Sequence, residues 1–232
     1  GEAPVEMVDD HYYSTPEFFF ENEGRYDSAD RKGPAIYVGE YACNAGVGQG
    51  NLLGALSEAA FMIGMERNSD VVKICSYAPL LFHVNDISWP VNLIGFDSSR
   101  VVGRSSYHVQ KLFSRHRPDE VLPTTVEGPA DPKARQVYAL AGLDTSAGEL
   151  VLKMVNRAPA PQTVQVTLTG LALRGRKAKV VTLSHADPTA ENSLDDPDVV
   201  APVESTVPLA GEPFSYDLPA YSLTILRAPV TA

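Results

Sequence analysis

An α/β half followed by an antiparallel β-sandwich is the fold class that this sequence predicts. Up to about residue 117, short apolar runs alternate with helical patterns, which implies parallel strands joined by right-handed crossovers. After "RPDEVLPT" the pattern turns to period two, with Gly-, Pro- and Asp-rich turns between the runs, as in a sandwich. The first half offers only three convincing strands. So small a parallel sheet leaves edges and helix faces bare, so it reads as the tail of a larger barrel whose other strands precede residue 1.

Taken in order, residues 5–8 predict a short strand that runs into "DDHYY". Residues 15–26 predict a helix, with Thr15 as N-cap, Pro16 at the first helical position and Glu17 in the first turn. Gly33 and Pro34 punctuate, and 35–41 has the β-branched and aromatic content of a buried strand. In 52–67 the apolar residues Leu52, Leu53, Leu56, Ala59, Ala60, Phe61 and Ile63 cover most of the circumference, predicting a largely buried helix. A strand over 71–77 follows, then a helix over 106–116 with Tyr107, Val109, Leu112 and Phe113 inward. Strands are predicted over 137–143, 149–156, 163–169, 177–183 and 221–226. The stretch "SHADPTAENSLDDPDVVAP" is too polar for a core and reads as a long surface loop. A boundary near 122–125 divides the chain into 1–121 and 122–232.

Bulk properties narrow the function. The 232 residues carry a net charge of −10, and a surface of that sign repels phosphate backbones, which argues against nucleic acid as a partner. No apolar run approaches the ~20 residues that span a bilayer. Two cysteines, Cys43 and Cys75, exclude a disulfide scaffold and a four-cysteine zinc site, and they are expected to be reduced. No cluster of ligating residues suggests a metal, and no cofactor is expected. The start "GEAPVEMVDD" has neither an initiator Met nor a signal region, so it reads as a processed chain or a piece of a longer one.

Chemistry concentrates in "AIYVGEYACNAGVGQG", residues 35–50. Gly46, Gly48 and Gly50 lie where a phosphate-binding turn would lie, but G-x-G-x-G is not the dinucleotide spacing, and no acidic residue ends the next strand. A flexible strand–helix loop at a pocket rim is the better account. Glu40, at the C-terminal end of a strongly apolar strand, occupies the place where parallel barrels carry catalytic groups. A salt-bridged or loop-exposed Glu is the plain alternative. The preceding strand delivers Asp9, Asp10, His11, Tyr12 and Tyr13 to the same face, and a His, two Tyr and a Glu can hydrogen-bond hydroxyls and stack on a sugar ring.

At these residues the chain resembles a known family. "DDHYYSTPEFFFENEGRYDSADRKGPAIYVGEYA" is similar to the nucleophile-bearing segment of family 51 glycoside hydrolases, the α-L-arabinofuranosidases. The likeness continues through "NLLGALSEAAFMIGMERNSDVVKICSYAPLL", "WPVNLIGFD", "SSYHVQKLFS" and "ENSLDDPDVVAP", and so covers nearly the whole chain. It implies a retaining hydrolase that releases terminal α-L-arabinofuranosyl groups from arabinan, arabinoxylan or arabino-oligosaccharides. The implied fold is a (β/α)8 barrel plus a C-terminal jelly-roll sandwich. Glu40 matches the nucleophile, and His11 and Tyr13, in the H-x-Y of "HYY", match residues that contact the arabinose. Trp89 falls where the family has a Trp after the last strand, a loop aromatic packed on the barrel rim being the alternative. Tyr77 sits where some members place a pocket polar group.

One departure matters. The family's acid/base Glu lies in a "GNE"-type motif well before the nucleophile and is not in this chain; "ENEG" at 21–24 is a false echo, since it follows a helix. The implied partners are an arabinose-containing polysaccharide or oligosaccharide and the missing N-terminal barrel segment, on the same or a separate chain. The isolated piece is expected to be inactive, and the oligomeric state is left open. The substrate class favours an extracellular or periplasmic place, with a cytoplasmic one still open. The rival reading is a non-catalytic carbohydrate-binding or structural fragment. Against it, the second half has only Tyr138, Phe214, Tyr216 and Tyr221 as aromatics, and no Trp.

Overall fold

The computed structural model describes residues 5–231. Its first layer is a three-stranded parallel sheet of β1 (Met7–Ser14), β2 (Ala35–Cys43) and β3 (Val72–Tyr77), in that order. β1 runs well past the strand expected at 5–8, because His11 and Tyr13 continue the ladder beside β2. Between β1 and β2, α1 (Pro16–Glu21) is capped by Thr15, whose hydroxyl accepts from Phe18 N at 3.4 Å. It is much shorter than expected. Asn22 ends it by donating from Nδ2 to Phe18 O at 2.8 Å, and the chain turns on so that Tyr26 can be buried.

The helix α2 (Leu52–Arg67) has the span expected from its sequence, and Asn51 caps it by accepting from Gly54 N at 3.0 Å. Burial is nearly complete around its circumference because it is wedged between β2 and the second sheet. Phe61 is the hub: its ring meets Tyr12, Phe19, Tyr26 and Tyr41. The contacts with Tyr12 and Phe19 are edge-to-face, and such pairs add ~0.5–1.5 kcal/mol each beyond area burial. A small excursion then follows, β4 (Leu81–His83), β5 (Ile94–Phe96) and β6 (Val101–Gly103), too short and too broken by Pro and Asp to announce itself in the sequence. The helix α3 (Ser105–Arg115) buries Val109, Leu112 and Phe113 as expected, with Tyr107 half-buried.

The period-two half forms one seven-stranded sheet and a pair opposite it. It begins at β7 (Glu120–Leu122), which pairs with β8 (Val137–Asp144), so the first strand of this half straddles the 121/122 division. β9 (Glu149–Asn156), β12 (Lys177–Ser184), β13 (Pro202–Pro208) and β15 (Ser222–Thr231) complete the order β13-β12-β15-β9-β8-β7, with β11 (Ala172–Leu173) beside β15. The opposing pair is β10 (Gln162–Val166) and β14 (Phe214–Leu218). One face of the large sheet packs Leu150, Leu152, Met154 and Leu226 against Phe214 and Leu218. The other packs Tyr138, Leu140, Val151 and Val155 against the helices of the first half. A sheet covered on both faces explains why β9 reads as a near-continuous apolar run.

Two expectations are refined here. The polar stretch before β13 is an irregular surface segment, as expected, but it is pinned like a strap and not loose: Asn192 and Val200 are fully buried. Pro188 O and Ala190 O accept from Leu53 N and Leu52 N, which satisfies the free donors at the start of α2. The glycine-rich turn is likewise pinned. Glu191 Oε1 accepts from Gln49 N at 3.0 Å, and Arg104 donates to Gln49 Oε1 at 2.6 Å. Gly48, at φ +58°, is where the strap comes in, since a Cβ there would lie 1.9 Å from Glu191 Oε1. Cys43 and Cys75 are both free thiols.

Candidate active site

Period two in β1 separates its side chains. Tyr12 and Asp10 turn towards the helices, where the Tyr12 and Tyr26 hydroxyls both donate to Asp10 Oδ2, at 2.8 and 3.2 Å. Arg25 closes that network by donating to the Tyr12 hydroxyl at 2.6 Å. Asp9, His11 and Tyr13 belong to the opposite, open face.

On that face the Tyr13 hydroxyl donates to Glu40 Oε2 at 2.7 Å, and His11 Nδ1 lies 3.6 Å from the same oxygen. The far ring nitrogen of His11, Nε2, donates to Asp9 Oδ2 at 3.0 Å. Glu40 and His11 are register partners, so the juxtaposition is built into the ladder and does not depend on a loop. Partial burial, together with the bond to Glu40 and its charge, pushes the Tyr13 phenol up to about 12. It therefore stays a neutral donor throughout the physiological range. A carboxylate with one oxygen held this way keeps its other oxygen open to the face, with 44% of the side chain exposed. The arrangement can present a nucleophile or base to a small polar ligand, with donors beside it.

Of the two weaker candidates, one turns away from this face. Tyr77 turns inward: its ring stands edge-on to Tyr41 at 5.8 Å, and its hydroxyl is buried. Burial, with the nearby charge of Glu58, pushes that phenol well up. Trp89 lies on the β4–β5 loop, 64% exposed, and among the described residues no ring contact or hydrogen bond ties it to Glu40, His11 or Tyr13. In the second half, Tyr138 and Phe214 are core residues, and Tyr216 and Tyr221 are half-buried, which leaves no fully exposed aromatic platform among the described residues.

Sequence reasoning missed one carboxylate altogether. Glu58 is fully buried on α2, directly behind the site, and its Oε1 accepts from Cys43 N at 2.7 Å. Burial pushes it up to about 7, against the hydrogen bond from the Cys43 N–H. A Glu in the middle of the apolar run of α2, well before the charged pair Glu66 and Arg67 at its end, was the available signal.

Comparison with known proteins gives a consistent set of likenesses. Residues 39–222 match the α-L-arabinofuranosidase C-terminal domain family. The chain is 38% identical over 224 residues to α-L-arabinofuranosidase A of Aspergillus kawachii, covering 95% of this chain and 33% of that protein. It is 34% identical over 225 residues to α-L-arabinofuranosidase 1 of Arabidopsis thaliana, with the same coverage. An arabinose-bound family 51 α-L-arabinofuranosidase superposes with a TM-score of 0.88 at 30% identity, over 97% of this chain and 37% of that one. The arabinose complex of the Thermotoga maritima enzyme superposes at 0.78 with 17% identity, over 96% and 52%, and speaks for the fold alone. The chain spans about a third of the length of the curated relatives it matches.

Proposed function

The chain belongs to the family 51 α-L-arabinofuranosidases, corresponding to their C-terminal part, and from that premise we propose that it carries the nucleophile of a retaining arabinofuranosidase. Glu40 attacks the anomeric carbon of a terminal α-L-arabinofuranosyl group and forms a covalent sugar ester. His11 and Tyr13 hold sugar hydroxyls, and the Tyr13 hydroxyl aims the carboxylate. The observation that carries this reading is the 2.7 Å bond from Tyr13 to Glu40 Oε2 on a face shared with His11. Hydrogen bonds that tighten as charge develops on the ring raise the rate and not only the binding.

A retaining mechanism needs a second carboxyl group about 5–5.5 Å from the first, to protonate the leaving oxygen and then activate water. In our reading that group comes from the rest of a (β/α)8 barrel. The bare edges of β1 and β3, and the exposed Met7 and Ile74, at 40% and 50%, support such a complement. Residues 1–121 are then the last strands and helices of that barrel, and 122–232 a jelly-roll sandwich. The substrate is arabinan, arabinoxylan or an arabino-oligosaccharide, and the isolated piece is inactive.

Azide rescue tests the assignment in the full-length protein. Glu40→Ala should lower arabinofuranoside hydrolysis by several orders of magnitude, and azide should restore part of it with an inverted β-azide product, one displacement replacing two. A retained α-azide would make Glu40 the acid/base instead. No rescue, with a fall in stability, would make it structural.

A further inference from the structure

A carboxylate near the end of a buried strand must be turned onto the right face of its sheet before it can do chemistry. In β2 the buried, helix-facing positions are Ile36 and Val38, and then Tyr41 and Cys43. Strict alternation from Val38 would send Glu40 towards α2. The phase changes because β2 carries one residue more than β1. Asp10 pairs with Val38, the next pair is His11 with Glu40, and Gly39 is left unmatched. Glu40 thereby joins His11 and Tyr13 on the open face. Bulges of this kind re-aim side chains beside active sites and leave a backbone group without its ladder partner.

Asp9 supplies that partner. Gly39 N donates to Asp9 Oδ1 at 3.1 Å, while His11 Nε2 donates to Oδ2 at 3.0 Å. One carboxylate thus ties the backbone immediately before Glu40 to the ring immediately beside it. Gly39 is what admits it: a Cβ there would lie 2.1 Å from Asp9 Oδ1, although its backbone is not in the left-handed region. An orphan N–H, a residue with no side chain and a charged acceptor are all accounted for by one contact.

We propose that Asp9 is the positioning residue of this site, its carboxylate holding the Gly39 bulge that aims Glu40 and fixing the His11 ring against it. This role rests on Glu40 being the nucleophile. Asp9 acts through Glu40 and His11 and touches neither the sugar nor the reacting atoms. A displacement of ~1 Å can cost about 10² in rate, so loss of Asp9 slows attack by that order with KM little changed.

The test uses the full-length protein and a 2-fluoro-arabinofuranosyl inactivator with a good leaving group, which esterifies the nucleophile. The labelled peptide names the carboxylate and the labelling rate reports its aim. Glu40 should be labelled about 100-fold more slowly in Asp9→Ala, with KM for an aryl arabinofuranoside little changed. Asp9→Asn keeps an acceptor for Gly39 N and should recover part of the rate. Gly39→Ala should slow labelling strongly in the wild-type background and little in Asp9→Ala, where the clashing carboxylate is gone. Wild-type labelling rates in Asp9→Asn and Asp9→Ala, or an equal cost of Gly39→Ala in both backgrounds, would overturn the role. If Asp9→Ala does not fold, Asp9→Ser and Asp9→Ser/Gly39→Ala, with a side chain one atom shorter at position 9, decide between the same outcomes. A label on some other carboxylate of the wild-type protein is a separate failure, because it removes Glu40 as the nucleophile and the role of Asp9 with it.

Discussion

β9 and β1 are both eight-residue strands, yet every residue of β9 from Leu150 to Asn156 is buried, whereas β1 buries Tyr12 alone. β9 lies between β15 and β8, with layers on both faces of its sheet; β1 is an edge strand with helices on one face only. The centre of the seven-stranded sheet completes its burial within the chain, and the three-stranded sheet keeps a polar stripe open. Under the function proposed above, that contrast separates what stabilises this molecule from what reacts. Substitutions on the open face should cost activity and little stability, and substitutions in the covered region the reverse.

The largest expected effect lies on the open face. In the full-length protein Glu40→Ala should raise the barrier to hydrolysis by roughly 5–8 kcal/mol, at ~1.36 kcal/mol per decade of rate. Its melting temperature should stay close to that of the wild type, because the side chain is half-exposed and its loss opens no cavity. A large drop in Tm would break the contrast.

Next comes the covered face. Lys153 is buried in β9, pairs with Glu66 of α2 at 2.5 Å, and lies 4.3 Å over the Phe113 ring of α3. Burial holds Lys153 below the usual ammonium range and Glu66 above the usual carboxylate range. Lys153→Met leaves Glu66 unpaired and should cost about 3–5 kcal/mol in denaturant unfolding. Lys153→Met with Glu66→Leu should recover most of it, since an apolar pair of similar volume removes both desolvation costs. A double variant as unstable as the single one would show that the ion pair itself is a net source of stability.

Glu58 lies between the two regimes, buried yet behind β2. Its folded pKa, about 7, is raised above the ordinary carboxylate value of 4.5, so the folded state holds the proton more tightly than the unfolded one. The stability linked to it is fully present below about pH 4.5 and lost as pH rises to about 7, an amount of about 3 kcal/mol at ~1.36 kcal/mol per pKa unit. Glu58→Gln keeps an acceptor for Cys43 N and should flatten that part of the stability–pH curve. A curve unchanged by the substitution would assign the slope to other groups. The smallest effect is none: with Cys43 and Cys75 free, reductant should leave the melting temperature unchanged.

Much of this architecture was legible because it is local. The span of α2 followed from apolar residues over its whole circumference, and β9 from a β-rich run between turns. Glu40 stood out because a carboxylate ended an apolar strand beside "HYY". The polar strap was hidden for the opposite reason. Its burial rests on Asn192 donating to Gly103 O and Val200 O, partners many residues away or across a turn that no periodicity announces.

By itself the sequence determined the long helices and the longer strands, such as α2, β2 and β9, where the pattern changes from α/β to period two, and which carboxylate lies near the end of the central strand. Those follow from side-chain spacing and propensity, which act over a few residues. Strands such as β4 to β7, β13 and β14 escaped that reading. Only the tertiary structure decided which way Glu40 faces. A one-residue mismatch between β1 and β2 inverts the alternation at Gly39, and the sequence of β2 alone cannot show it, because register belongs to the pair of strands and not to either one. Only the tertiary structure, likewise, put Glu58 behind that strand and Tyr77 on its covered side, since desolvation depends on what packs against a residue.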